Sequence, residues 1–553
     1  MSPSSDNGAA APTRGGLGGL LVVLALGIAA FVPLVFGDAP QDDAYISYRY
    51  ARNWADGAGL VFNAGEEPVE GYTNFLWTIG IGIGLQAGLD PEIIAPWAGL
   101  VFTLLTVLGT YALARRFGAT PGFAGLAALL FASRPMLALH AMGGLETSFF
   151  GALLVAALWL RWRGETEGHT GNWASAAMFG LAALTRPEGV LFFGLVELFE
   201  LAPVLRRPAA LAAHVGRAVL RGLPLLVLVV AHVTWRRLTY GDWVPNTFHA
   251  KVEPSWTTWT DGLDYIVAGL WHFGPLFALA PYVSGAPRRA SGPARHARAT
   301  ALWIGVVFLL YVIYAGGDYI PSYRFLWPVM PLWCALVAAA LTRWSTDSDG
   351  VVKRGLRTAL VAGTIALASI HTTIEYRGEH HWAGMDYRHR RLVAAGVRMN
   401  EILPPDTWIA VTNAGRIPYF ADRPTIDMMG LSDSYIAKET GMRVTTALAG
   451  HLKGDGGYVL DRAPGVIVFL RVILMGEPLA EQRNWISLAQ QRAFGISERE
   501  ILADPRFPRA YRVYSIPLPV EGESGPIWLN LFARDEVFGG SLPEGTLVSR
   551  RPS

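Results

Sequence analysis

The chain has 553 residues, of which 52% are hydrophobic and only 16% charged, and its net charge is +2 at neutral pH. That profile belongs to a polytopic membrane protein, not a soluble one of the same length, and so small a net charge excludes a protein held to nucleic acid by bulk electrostatics. The single cysteine, Cys334, lies in an apolar run, which excludes an internal disulfide and a cysteine-based metal cluster.

Residues 1–16, rich in Ser, Ala, Pro and Gly, read as a disordered cytoplasmic tail. The apolar run Leu17 to Phe36 is long enough to cross a bilayer; it is longer than a signal core and no small-x-small cleavage site follows, so it reads as a retained anchor. Further apolar runs lie at Ile94 to Ala114, Ala124 to Leu139, Phe149 to Leu160, Ala174 to Thr185 and Val190 to Val204. They continue at Leu220 to Trp235, Tyr265 to Val283, Ala301 to Ala315, Phe325 to Leu341 and Gly355 to Ile370, which makes about eleven transmembrane helices. Phe75 to Ala87 is left out as an interfacial helix, because every strongly basic connection then falls on one side: Arg115-Arg116, Arg161 with Arg163, Arg206-Arg207, the 288–298 arginines and Arg343 to Arg357. The expectation is a transmembrane domain over 17–374, N-terminus inside, with a first outer loop over 38–93. From 375 to 553 apolar runs shorten and charge density rises, and strand-like stretches at Trp408 to Thr412, Gly465 to Phe469 and Ile527 to Phe532 alternate with helical ones, as in an extracytoplasmic soluble α/β domain.

The unusual polar residues gather in the outer loops. Asp42 and Asp43 follow the first span directly, and Glu70 closes the same Tyr- and Gly-rich loop. Adjacent carboxylates repel, and a chain keeps such a pair where a base, a metal or a cationic substrate uses it. One carboxylate can take a proton from a hydroxyl while another orients the nucleophile or holds a metal. Arg186, Lys251 and Arg324 supply cations at the same depth, and a guanidinium pairs bidentately with phosphate, here a lipid phosphate. Glu146, Asn246, His249, Asp318 and Tyr319 complete the polar set, with Tyr45, Tyr72 and Trp243 able to stack on sugar faces. Glu146 and Glu188 also suit helix N-termini. His380, His381 and His389 lack metal-ligand spacing and read as a solvated stretch; Gly454-Asp455-Gly456-Gly457 is a turn, since no Gly-Lys-Ser/Thr follows, so no nucleotide is expected.

These residues resemble the C-type glycosyltransferase superfamily, polytopic enzymes that take a sugar from a polyprenyl-phosphate donor and attach it outside the cytoplasmic membrane. DDAYISYRYARN, with Arg49 on the helix after the acid pair, looks like the acidic motif of their first outer loop, and VEGYTNFLW, with Asn74, places Glu70 at their second acidic position. A closer likeness, over most of the chain, is to a bacterial family related to terminal arabinofuranosyltransferases, carried by LVFNAGEEPVEGYTNFLW, GLET, LTRPEG, PNTFHAK, GDYIPSYRFLWPVMP and AGRIPYFADRPTIDMMGLSD. The resemblance implies inverting transfer to an envelope glycan or lipid, with Asp42 or Asp43 as general base and Arg324, Arg186 or Lys251 on the departing phosphate. Glu70 would orient the acceptor or, with Asp43, hold a divalent cation, Mg or Mn; Tyr45, Arg49, Tyr72, Asn74, Glu146, Asn246, His249, Asp318 and Tyr319 would touch substrate. Asn413, Gly415, Tyr419 and Asp427 of the outer domain would shape the acceptor side. Two other readings compete: a flippase or transporter of lipid-linked sugars, whose ionisable groups belong near mid-membrane, and a non-catalytic envelope protein of the same fold.

Overall fold

The computed structural model describes residues 16–36, 40–134, 136–167, 169–205, 208–251, 256–273, 292–318, 323–346, 381–441, 453–523 and 525–550. The expected span Gly355 to Ile370, and with it Tyr319 and His380, lies outside the described residues. The helical part runs through α1 (Gly16–Phe36), α2 (Asp42–Ala55), α3 (Phe75–Gln86), α4 (Pro91–Arg116), α5 (Pro121–Ala132) and α6 (Met136–Met142). It continues with α7 (Thr147–Glu167), α8 (His169–Thr185), α9 (Glu188–Leu201), α10 (Pro208–Tyr240), α11 (Asn246–Lys251) and the helices Trp256–Phe273, Pro293–Ala315 and Met330–Thr346. Among the described residues, five helical stretches are long and apolar enough to cross a membrane: Gly16–Leu34, Pro91–Arg116, Leu211–Tyr240, Pro293–Ala315 and Arg324–Arg343.

Some expected spans take a different form. Ala124 to Leu139 is two helices, α5 and α6, because Ser133-Arg134-Pro135 interrupts the run and a proline cannot donate the helical hydrogen bond. Leu220 to Trp235 is the middle of the 33-residue α10. The run from Phe325 opens as a 3-10 turn, Arg324–Val329, before the helix Met330–Thr346. That helix packs on α4 and α5 and is nearly all buried, with Ala335, Leu336, Val337 and Ala338 in the main apolar core. α3, at 12 residues, extends only about 18 Å and packs along α2.

The C-terminal part is built on one mixed sheet. Its strands are β1 (Ile409–Val411), β2 (Thr425–Asp427), β3 (Val466–Val468), β4 (Leu474–Met475), β5 (Arg512–Leu518), β6 (Ile527–Ala533) and β7 (Leu547–Val548), in the order β2-β1-β3-β6-β5-β7 with β4 on β6. β1 pairs in parallel with β2 and β3, and the β5–β6 pair is antiparallel along its whole length. Central strands buried on both faces need apolar cover on each side. One face carries Leu392, Ala395 and Met399 of the helix His381–Ile402; the other carries Val459, Trp485 and Phe507. The parallel half matters for the site, because the β1–β2 connection, through the short helix Arg416–Ala421, reaches α2.

Asp427 ends β2 and organises the loop after it, accepting hydrogen bonds from the Met429 and Ser432 amides at 3.0 and 2.8 Å. It is therefore an anchor of that loop. Burial pushes its carboxyl up to about 6. A carboxyl that titrates higher in the folded state lends stability at low pH and loses it as pH rises through about 6. Asp427→Asn should therefore depress Tm relative to wild type by more at about pH 4 than at about pH 7; an equal offset in thermal unfolding at both values would place this titration elsewhere.

Candidate active site

The acid pair occupies the first turn of α2, where unpaired peptide N–H groups favour negative charge. The turn is held in place from both sides. The Gln41 amide donates to the Gly143 carbonyl at 2.9 Å, fastening α2 to the corner that leads into Glu146. Gly144 takes φ of 73° there, which glycine adopts without strain, and its carbonyl accepts from the Trp77 indole at 3.1 Å. From the other side comes Arg416: its amide donates to Asp42 Oδ1 at 3.1 Å, its guanidinium lies 3.5 Å from the same oxygen and also bonds the Pro40 carbonyl, and its Nε donates to His389 Nδ1 at 3.1 Å. Burial raises the Asp42 carboxyl above its ordinary value, with the charge and amide of Arg416 opposing.

A second cluster faces this one. Arg186 spends one terminal nitrogen on Glu146 at 2.9 Å and the other on Glu188 at 3.1 Å, so both glutamates are ion-paired and do more than end a helix. Glu146 also accepts from Asn74 at 3.0 Å, and Asn74 bonds Ser47, which links the cluster to α2. Arg324 donates through Nε to Asp318 at 2.7 Å; its two terminal nitrogens make no hydrogen bond among the described residues. It follows Tyr323, held at φ of 53°, a left-handed geometry that a tyrosine rarely takes. Asp43 lies within electrostatic reach of Arg324.

Glu70 belongs to a different contact. Arg236 of α10 pairs with both of its carboxylate oxygens, at 3.1 Å through Nη2 and through Nε as well, while burial raises the Glu70 carboxyl. With its oxygens committed to a guanidinium, Glu70 does not suit the cation site expected with Asp43, and no step is routed through a metal. Among the described residues the cluster spaced like a metal site is Glu197, Glu200 and His214, where Arg161 and Arg221 already neutralise the carboxylates.

Several residues expected to touch substrate are instead structural. Tyr45 is fully buried, bonds Glu92 and packs edge-on against Tyr48 and Tyr419. Arg49 is buried and donates to the carbonyls of Phe62, Pro418 and Arg423, binding α2 and the segment after it to the C-terminal part. Tyr72 packs on Tyr50 and meets the Tyr240 hydroxyl at 3.2 Å. His249 pairs with Asp242 at 3.0 Å. Lys251 is exposed at the end of α11 and makes no polar contact among the described residues, so it is not gathered with Arg186 and Arg324. His389, expected in solvent, is instead mostly buried between Arg416 and Glu92. Sequence reasoning missed Arg416 and Arg236; the one available signal was that a carboxylate as buried as Glu70 needs a cation nearby.

Residues 376–514 match a family described as a domain of unknown function, DUF8728. Among solved structures, ArnT from Cupriavidus metallidurans bound to undecaprenyl phosphate superposes with a TM-score of 0.51 at 15% identity, covering 74% of this chain and 85% of that one. Its apo state gives 0.50 at 16% identity, covering 74% and 84%. The fold is thus that seen in ArnT, mostly helical with a C-terminal domain. In sequence the chain is related to terminal β-(1→2)-arabinofuranosyltransferases: the Corynebacterium glutamicum protein is 28% identical over 419 residues, 68% of this chain and 58% of that one. The Mycobacterium tuberculosis protein is 32% identical over 243 residues, 41% of this chain and 36% of that one. The chain therefore spans less than two thirds of the length of these curated relatives.

Gly415 tests the docking of the two parts. A Cβ there would stand 2.0 Å from the Asp42 carbonyl oxygen, a backbone clash that no rotamer relieves. Gly415→Ala should cost about 1–3 kcal/mol and lower Tm by several degrees in detergent, with new protease sensitivity near residue 415. An unchanged Tm would mean that the contact is not made in the membrane.

Proposed function

We propose that the chain is an inverting glycosyltransferase that moves a sugar from a polyprenyl-phosphate donor to a hydroxyl of an envelope glycan or lipid, on the outer face of the cytoplasmic membrane. The observation that supports this reading is the electrostatic interaction of Asp43, in the α2 acid pair, with Arg324, beside an Arg186 cluster that Asn74 and Ser47 tie to α2. The undecaprenyl phosphate in the ArnT structure and the kinship with arabinofuranosyltransferases support a lipid-linked donor.

The chemistry follows from those groups. The acceptor hydroxyl attacks the anomeric carbon, the carbon–oxygen bond to phosphate breaks, and the bonding pair leaves with the phosphate. The hydroxyl proton passes to Asp42, whose raised proton affinity suits a base. The leaving phosphate is a stable anion and needs no acid; the free terminal nitrogens of Arg324 receive its charge, while Arg186, spent on two glutamates, holds the cluster in shape. Asp318, which accepts from Arg324 Nε, keeps that guanidinium oriented.

Asp42→Asn should lower kcat by at least about 100-fold with donor KM retained, measured as acceptor-dependent donor consumption in nanodiscs. The same loss in Asp43→Asn alone would exchange the roles of the pair, and full activity in both variants would reject a carboxylate base here. Arg324→Ala should raise donor KM roughly 10- to 100-fold, the size of a lost charge-assisted contact; unaltered donor affinity would remove Arg324 from the phosphate site.

A further inference from the structure

A small cleft opens between the segment before α3, the turn after α10 and the helix Ser434–Glu439, lined by Glu67, Glu70, Tyr240, Asp242, Asn246 and Lys438 among others. Its walls are fixed by ion pairs: Glu70 with Arg236, and Asp242 with Lys438 at 2.9 Å. Lys438, the Val244 amide and His249 outweigh burial and hold Asp242 well below the usual carboxylate range.

Asn246 is the informative member. Its side-chain nitrogen donates to the carbonyls of Gly430, Leu431 and Asp433 at 2.9, 3.0 and 3.2 Å, which fixes the orientation of the amide. Its Oδ1 is consequently left buried and without a hydrogen-bond partner, in a residue only 4% exposed. A buried acceptor without a donor is costly, and a ligand hydroxyl would satisfy it. The Glu67 carboxylate and the Ser434 hydroxyl likewise make no hydrogen bond among the described residues. Next in sequence to the lining residues Asp242 and Ser434, Trp243 and Tyr435 expose 64% and 43% of their surface; Arg237 lies over one face of the Trp243 ring, and Tyr435 is braced by stacking on Tyr458.

Uncommitted hydroxyl acceptors beside exposed aromatic faces suit a polyhydroxylated ring, whose O–H groups need acceptors and whose C–H face packs on an aromatic. Charge argues against a phosphate. Glu70 and Asp242 are each neutralised by a partner, and Glu67 leaves the cleft weakly anionic. We infer that this cleft is a saccharide subsite, distinct from the Arg324 phosphate site, that binds the acceptor glycan through Asn246, Glu67 and the exposed face of Trp243. The assignment of the saccharide as acceptor rests on the glycosyltransferase reading; saccharide binding itself does not.

The test uses the full chain in nanodiscs and two soluble probes, a pentofuranose tetrasaccharide and a hexopyranose tetrasaccharide, followed by saturation-transfer NMR and tryptophan fluorescence. At least one probe should bind wild type, and Glu67→Gln and Trp243→Ala, both at exposed positions, should each weaken it by 5-fold or more. Failure of both probes to bind, or equal binding by the variants, overturns the inference, as does a Trp243→Ala protein that changes only in its partition into lipid vesicles. Transfer with acceptor KM insensitive to both variants would retain the enzyme reading and reject the subsite; variant-sensitive binding without any transfer would do the reverse.

Discussion

The first turn of α2 is gripped by main-chain and guanidinium contacts from a part of the chain more than three hundred residues away, and the geometry of that end of the bundle depends on the grip. Arg416 reaches Asp42 Oδ1 and the Pro40 carbonyl together, and Gly415 leaves room for the backbones to touch. Similar contacts recur around it. Arg49 from α2 reaches the carbonyls of Pro418 and Arg423, Asn63 bridges to Thr425, and Asn246 ties down three carbonyls between Gly430 and Asp433. Buried side chains that satisfy main-chain carbonyls fix loops by their paths, whatever side chains those loops carry. The C-terminal part is accordingly a wall of the site and not an appended module.

Within the site, charge is divided between neighbours with different duties. Arg186 is saturated by Glu146 and Glu188, whereas Arg324 keeps donors in reserve beside Asp43. Two guanidiniums of like appearance in the sequence therefore differ in what they can offer a ligand. Glu70 shows the same split among carboxylates: its bond to Arg236 joins α10 to the segment between α2 and α3 and makes it part of the frame.

The class of fold was legible in the sequence because hydropathy and strand alternation are local signals. Trp408 to Thr412, Gly465 to Phe469 and Ile527 to Phe532 contain β1, β3 and most of β6. Asp42 and Asp43 were legible as well, through their position just beyond an apolar run. The partners of these groups were not, since Arg416 and His389 reach Asp42 and Glu92 through the tertiary fold, and no periodicity records such a meeting. The structural contacts of Tyr45, Arg49 and Tyr72 were hidden for a related reason: an aromatic or arginine in a loop looks the same whether it faces a ligand or seals an interface between loops.

The nearly buried helix Met330–Thr346 carries a consequence for how the bundle is assembled. Its apolar surface is spent on α4 and α5 rather than on lipid, yet it comes late in the chain, after most of the helices that surround it. A segment at the axis of a bundle cannot be added to an outer surface, so the earlier helices must remain parted until it arrives. Late closure of this kind makes the packing of α4 against α5 provisional during synthesis. A small-to-large change along the axial helix would then be felt as arrested assembly, even where the hydropathy of every segment is preserved.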